Sequence, residues 1–375
     1  MMREYKPMGI PASERLARMA QWWNRENDRP LLGFMLGTYY PLKRYPQGSR
    51  KLSGPVHPEN IDVPEFLDDT DRLFDLHEEA GGDMLFSAAP FFGVPWLEAA
   101  LGCGVVADPV TGSMRSLPPP GFSSHPDVPV FSESHPWVQK LLEFIPALES
   151  RSAGRYPVGV TLMRGVSDLL SALYGGDRFV YRMVDAPGEV HRVIEGLASF
   201  WIAFGRCLLD RLPLFQGGTG SFLYGLWSPG KFIWMQEDAA ALLSPRMYEE
   251  FVLPADRALA AAFPRTIVHL HPTRFIPVKQ LLGAAVSAVE LHIDRDGPRA
   301  ESLWPHYDRI LASRPLYIWG DLTREDLDFV FSRLPRRGLA AGVLVDTPGE
   351  ARRLWDAYWP LLASGGNPNP QMAIP

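Results

Sequence analysis

The order of elements along the chain predicts an α/β protein, a (β/α)₈ barrel. Three observations carry that expectation. Short apolar runs alternate with helical patterns over a length that suits one barrel. Most of the runs end in polar residues, where such barrels place their chemistry. No Gly-x-Gly-x-x-Gly follows the first run, which argues against a dinucleotide-binding sheet. The expected layout is one domain over 1–375, with a helical extension at 1–28 and an irregular insertion at 88–134.

Residues 13–27 read as an amphipathic helix, with Leu16, Met19, Trp22 and Trp23 at helical spacing. A first buried strand follows at 29–36. Residues 41–62 form a long loop carrying Lys43, Arg44, Arg50 and Lys51, either solvated surface or an anion contact. A helix at 64–80 leads to a strand at 83–87. After a short helix at 95–103 and a helix at 135–152 comes a strand at 156–162. Asp185 and Pro187 open a long helix, with Asp185 as N-cap. Two strands are read at 219–225 and 231–236, one more than eight strands need. Ser244-Pro245 caps the next helix, and Pro254 is expected to kink or break it. Further strands fall at 266–271, 286–291, 315–319 and 340–345. Thr323 caps a helix, Thr347 to Glu350 is a capping box, and Gly365 and Gly366 end the last helix.

Bulk properties exclude several classes. The net charge of −6 gives no electrostatic case for a nucleic-acid partner. Cys103 and Cys207 are the only cysteines, which excludes a disulfide framework and a multi-cysteine zinc site and suits a reducing cytoplasm. Met1 to Pro7 carries no apolar core of a signal peptide, and Arg206 interrupts the longest apolar stretch, so no membrane span is expected.

The chemistry centres on His269-Leu270-His271. Side chains alternate along a strand, so both imidazoles point one way. Glu290 lies near the end of the next strand, and two histidines with one carboxylate form a common catalytic zinc set that leaves a position open. A hydrogen-bonded pair of rim histidines is the plain alternative. Tyr224, Asp238, His292, Asp294, Asp321 and Asp346 also stand at strand ends. Asp346 equally suits the N-terminus of the following helix. Arg164 suits an anionic substrate or an ion pair with Asp168.

Asp238 to Pro254, with its Leu243-Ser244-Pro245 and Glu250-Phe251 core, resembles the uroporphyrinogen decarboxylase superfamily. Gly165 to Asp168, Asp185 to Val190, Trp319 to Leu322 and Thr347 to Glu350 resemble further segments of it. The resemblance covers residues 150–360 and implies a (β/α)₈ barrel. Its metal-free decarboxylases carry an Arg-containing motif after the first strand and a late His. Leu36 to Arg44 lacks that motif, and His306 is the last histidine. Its corrinoid-dependent methyltransferases carry His-x-Cys at the His269–His271 position and a later Cys, with zinc that binds a thiol acceptor. Here His271 replaces the first Cys, and 339–345 holds no second one. More distant methionine synthases place a Glu where Glu290 falls. The resemblance therefore implies a zinc-assisted methyltransferase on His269, His271 and Glu290, with Arg164, Tyr224, Asp238 and Asp346 as further site residues and a corrinoid protein as partner. A metal-free decarboxylase of a carboxylated tetrapyrrole-like substrate, and a barrel that binds a corrinoid without turning it over, are the alternatives.

Overall fold

The computed structural model describes residues 9–222 and 224–363. Its strands are β1 (Leu31–Leu36), β2 (Gly54–Val56), β3 (Gly104–Asp108), β4 (Ser113–Leu117), β5 (Gly218–Gly220), β6 (Trp227–Pro229), β7 (Ile233–Gln236), β8 (Thr266–Leu270), β9 (Ala288–Ile293), β10 (Leu316–Gly320) and β11 (Leu339–Val345). Six of them form one sheet in the order β1-β11-β10-β9-β8-β7, and every pairing is parallel. Helices such as Trp304–Leu311 and Arg324–Arg333 cross between successive strands. Nearly every residue of these six strands is buried, as a parallel sheet covered on both faces requires.

Eight strands were expected in one closed ladder; six form a continuous parallel sheet, and among the described residues the ladder does not close. The segments 83–88 and 157–164 stand between its two edges and pair only at isolated positions. Asp83 donates to the Leu32 carbonyl (2.8 Å), and Ala88 donates to Pro157 (3.0 Å). Segment 157–164 begins at a proline without an N–H and then changes partner. Val160 pairs with Gly220 and Phe222, whereas Met163 and Gly165 pair with Gln236. No run of consecutive pairs becomes long enough to be a ladder. The surplus strand candidate is 219–225, since β5 folds back antiparallel on β6.

The insertion at 88–134 is not irregular. It holds the helix Trp96–Ala100 and the β3–β4 hairpin, and β2 from the long loop adds a third strand. In that loop Arg50 and Lys51 both pair with Glu65, and Arg44 donates to the Leu36 carbonyl at 2.7 Å. The first helix ends at Trp23, and Arg25 turns the chain at φ 57°. Asp185 closes the helix Arg178–Asp185 instead of capping the next, whose N-cap is Ala186. Pro254 is absorbed by a π-helical turn at Tyr248–Val252 just before it. The caps at Ser244 and Thr323 form as expected. Gly365, Gly366 and Met1 to Pro7 lie outside the described residues. Among those described, no helix is long and apolar enough to cross a membrane. Both cysteines are buried and free.

Two packing features position the site. Ile233 points out against the helix Pro187–Arg211, so its neighbours Trp234 and Gln236 point inward. The inner face then carries large rings on β7 and β10 and small residues on β11. Gly342 faces Tyr317 and Trp319, and a Cβ there would collide with Tyr317 Oη and come within 2.6 Å of Trp319 Cδ1. At the other end of the sheet, Asp83 is fully buried. It accepts two hydrogen bonds from Arg29 (2.7 and 2.5 Å) and one from the Leu32 amide (2.9 Å). Arg29 also lies over the Trp359 ring at 5.0 Å, so one ion pair ties β1, the second strand segment and the last helix.

Removing one partner of such a pair strands a buried charge. Asp83→Ala should lower stability by roughly 3–5 kcal/mol in denaturant titration, and Arg29→Met with Asp83→Leu should recover much of it. His77 gives a pH dependence. It contacts the Met84 carbonyl at 3.0 Å, and burial, with the nearby Arg15 charge, drives its pKa from 6.5 to about 4. The unfolded chain therefore binds a proton in that window and the folded chain does not. Stability should fall as pH drops from about 6.5 toward 4, by roughly 3 kcal/mol in all. Unfolding midpoints taken across this range should flatten by that amount in His77→Gln.

Candidate metal centre

Parallel register builds the site. His269 of β8 pairs with Glu290 of β9, and Glu290 pairs with Tyr317 of β10. Directly paired residues share a face, so these three point inward together. Two residues further along each strand come His271, His292 and Trp319, on the same face. The outcome is a polar layer below and an imidazole layer above it.

The donors of His269, His271 and His292 all lie within 4.8 Å of one another, and His269 and His292 are buried. His271 and His292 have ring centroids 4.4 Å apart. Each of the first two has its Nδ1 engaged behind it. Glu290 Oε2 and the Tyr224 hydroxyl (3.1 Å) meet His269 Nδ1, and Asp294 Oδ2 meets His271 Nδ1 at 2.8 Å. That leaves both Nε2 atoms facing Asp238, at 3.7 and 3.8 Å from its two oxygens. Gln236 Nε2 donates to Asp238 Oδ2, while Asp238 Oδ1 is buried without a hydrogen-bond partner. His292 Nδ1 is likewise buried and unpartnered.

The electrostatics are uneven. Burial drives His269 down to about 3, although Asp238 pulls the other way. Burial, with His271 and His269 beside it, also lowers His292. Burial raises Glu290 well above the carboxylate range, and Tyr224 above its ordinary value. His271 is the exception. Burial pulls it down, but the Asp294 hydrogen bond and the charges of Asp238, Asp294 and Glu290 outweigh that and lift it to about 9. The carboxylates of Asp238 and Asp294 beside His271 thus favour one positive charge within the group. A divalent cation fits this set. Two imidazoles are held through Nδ1 by carboxylates, the arrangement that orients metal-binding histidines, and orphaned polar atoms remain in reach.

The structure brings Tyr224, Asp238, His269, His271 and Glu290 together, with His292 and Asp294. Glu290 stands behind His269, and the third mutually close donor is His292. Arg164 stands one step back, within electrostatic reach of Asp238 but turned to other partners, and Asp346 lies elsewhere. Arg164 pairs with Glu98 at 3.1 Å and lines a separate cavity of about 210 Å³ with Arg115 and Asp168. Asp346 lines a cavity of about 590 Å³ with Tyr39, Tyr40 and Asp321, and its amide is capped by Glu350 at 2.9 Å. Tyr39 joins that cavity to the histidines, with its ring edge-on to His292 at 6.2 Å. The signal for His292 was the repeated spacing: His269-Leu270-His271 and Glu290-Leu291-His292 lie in one register.

No protein-family model and no curated protein matches the chain. Among solved structures, a methyltransferase from Methanosarcina mazei superimposes with a TM-score of 0.61 at 11% identity, over 92% of this chain and 99% of that one. At that identity the likeness shows the fold alone. A GH26 beta-mannanase from Bacteroides ovatus aligns with a TM-score of 0.34 at 9% identity, over 95% of this chain and 94% of that one, too loosely to carry any argument.

The ring wall beside the histidines depends on Gly342. Gly342→Ala should cost about 1–3 kcal/mol and displace Tyr317 and Trp319. A lowered thermal midpoint together with a changed near-ultraviolet circular dichroism spectrum would verify it, and an unchanged spectrum would refute it.

Proposed function

We propose that the protein is a metal-dependent enzyme of methyltransferase type, with a divalent cation, zinc by preference, held by His269, His271 and His292. The observation that carries this reading is the convergence of three imidazoles, two of them backed through Nδ1 by Glu290 and Asp294. Nitrogen-rich sets of this kind suit zinc and leave a position open for substrate. A bound ion would supply Lewis acidity, easing loss of a proton from a substrate thiol or hydroxyl. The other tasks fall to side chains. Asp238 Oδ1, without a hydrogen-bond partner and 3.7 Å from His269 Nε2, would accept that proton. Tyr224 and Glu290 hold His269 in one orientation. Trp319 and Tyr39 pack against His292, Tyr39 on the side of the larger cavity. Methyl transfer is supported by the fold shared with a solved methyltransferase and by the Leu243-Ser244-Pro245 segment. A corrinoid protein is the methyl source in this reading.

Metal analysis tests the centre. Protein supplied with zinc and then desalted should retain about one equivalent. His292→Ala should lose it as fully as His269→Ala, whereas Glu290→Ala should weaken it on the order of 10–100-fold. Protein that retains no metal, or a His292→Ala variant that binds as tightly as the parent, would sink the assignment.

A further inference from the structure

Two strand ends are locked together by crossed carboxylates, and the lock encloses Asp238. Glu237, the first residue past β7, is buried. It accepts hydrogen bonds from the amides of Val166 (2.7 Å) and Ser167 (3.0 Å) and from the Ser167 hydroxyl. Those amides open the helix Val166–Tyr174, whose own N-cap is Gly165 and has no side chain to offer. Asp168, in the first turn of that helix, reaches back. It accepts from the amides of Ala239 (2.8 Å) and Asp238 (3.3 Å), where the turn Ala239–Leu242 begins. The Gly165 amide donates to the Gln236 carbonyl at 2.6 Å. Only glycine permits that approach, because a Cβ at 165 would collide with Glu237 Oε1. Residues 165–168 therefore grip 236–239 at several points, and Asp238 lies inside the grip.

We infer that Asp168 and Glu237 are positioning residues, whose crossed caps fix the Asp238 backbone and so the angle at which its carboxylate meets His269 and His271. The inference rests on the reading of those histidines as a metal centre. Neither carboxylate bonds to any of the three histidines among the described contacts; Glu237 meets His269 only through the main chain, its amide donating to the His269 carbonyl at 3.1 Å, so a side-chain effect on the imidazoles runs through Asp238. A plain helix cap would alter stability alone. The positioning role predicts coupling.

Cobalt(II) binding, followed by visible absorption, and imidazole nitrogen chemical shifts of the metal-free protein at one fixed pH test this. Burial and the charge of Asp238 push Asp168 up to about 8, against Arg164 and the two amides. Asparagine, which keeps one acceptor oxygen, is thus the conservative replacement. Asp168→Ala should weaken cobalt binding about tenfold or more, and Asp168→Asn should restore most of it. Asp168→Ala combined with Asp238→Ala should bind no more weakly than Asp238→Ala alone, because both act through one group. In metal-free protein, Asp168→Ala should move the His269 and His271 Nε2 resonances in the direction that Asp238→Ala does. Additive losses of affinity, or unmoved resonances, would overturn the inference. Should Asp168→Ala not fold, Ser167→Ala removes one donor to Glu237 and should give a smaller shift of the same sign. If the parent protein binds no cobalt, the metal reading fails while the nitrogen resonances still decide the positioning role.

Discussion

The site depends on the parallel register of β8, β9 and β10. Because His269 stands opposite Glu290 and Glu290 opposite Tyr317, every second residue of three strands faces one interior. A slip of one residue would turn Leu270 and Leu291 inward and put the histidines against the helices. The large buried apolar surface of the sheet is what forbids that slip. The core that stabilises the fold thereby aligns the imidazoles without any bond between them.

Burial in that interior has an electrical consequence. Glu290 is fully buried and His269 nearly so, and each is pushed toward its uncharged form. A polar layer of this kind is costly unless something completes it. His271, nearer the mouth and beside Asp238 and Asp294, is the one imidazole that the surrounding carboxylates favour as a cation. A metal ion would provide the same positive charge in a form that three nitrogens can share. The unpartnered atoms of Asp238 and His292 mark where its contacts would fall.

Much of this was legible in the chain. The apolar runs located the six strands of the sheet, and the His-x-His pair needed only strand alternation. What the sequence hid was pairing. Segments 83–88 and 157–164 look like ladder strands by composition, yet their bonds go to several partners, a tertiary outcome that no local pattern records. The β3–β4 hairpin was missed because its strands are short and lie between proline-rich loops. His292 was visible as a strand-end residue, but a boundary drawn at Leu291 left it outside the strand. One more residue of strand sets it level with His271. Arg164 and Asp346 are polar residues at strand ends, a position that does not say which neighbour a side chain meets.

The ligand set also bears on the kind of chemistry the centre supports. Thiolate ligands donate strongly and soften a zinc ion, whereas neutral imidazoles leave more of its charge to act on a bound group. Among the described residues neither cysteine is near the histidines' contacts, and both thiols are buried and raised well above neutrality, Cys103 to about 12 and Cys207 to about 11. On the proposed reading, an all-nitrogen centre with Asp238 beside it would suit a substrate that arrives protonated and must lose that proton as it binds. A fold shared at 11% identity does not select among such substrates. On the proposed reading that selection would rest with Asp238, which among the described residues faces both Nε2 atoms, and with the strand ends that hold it there.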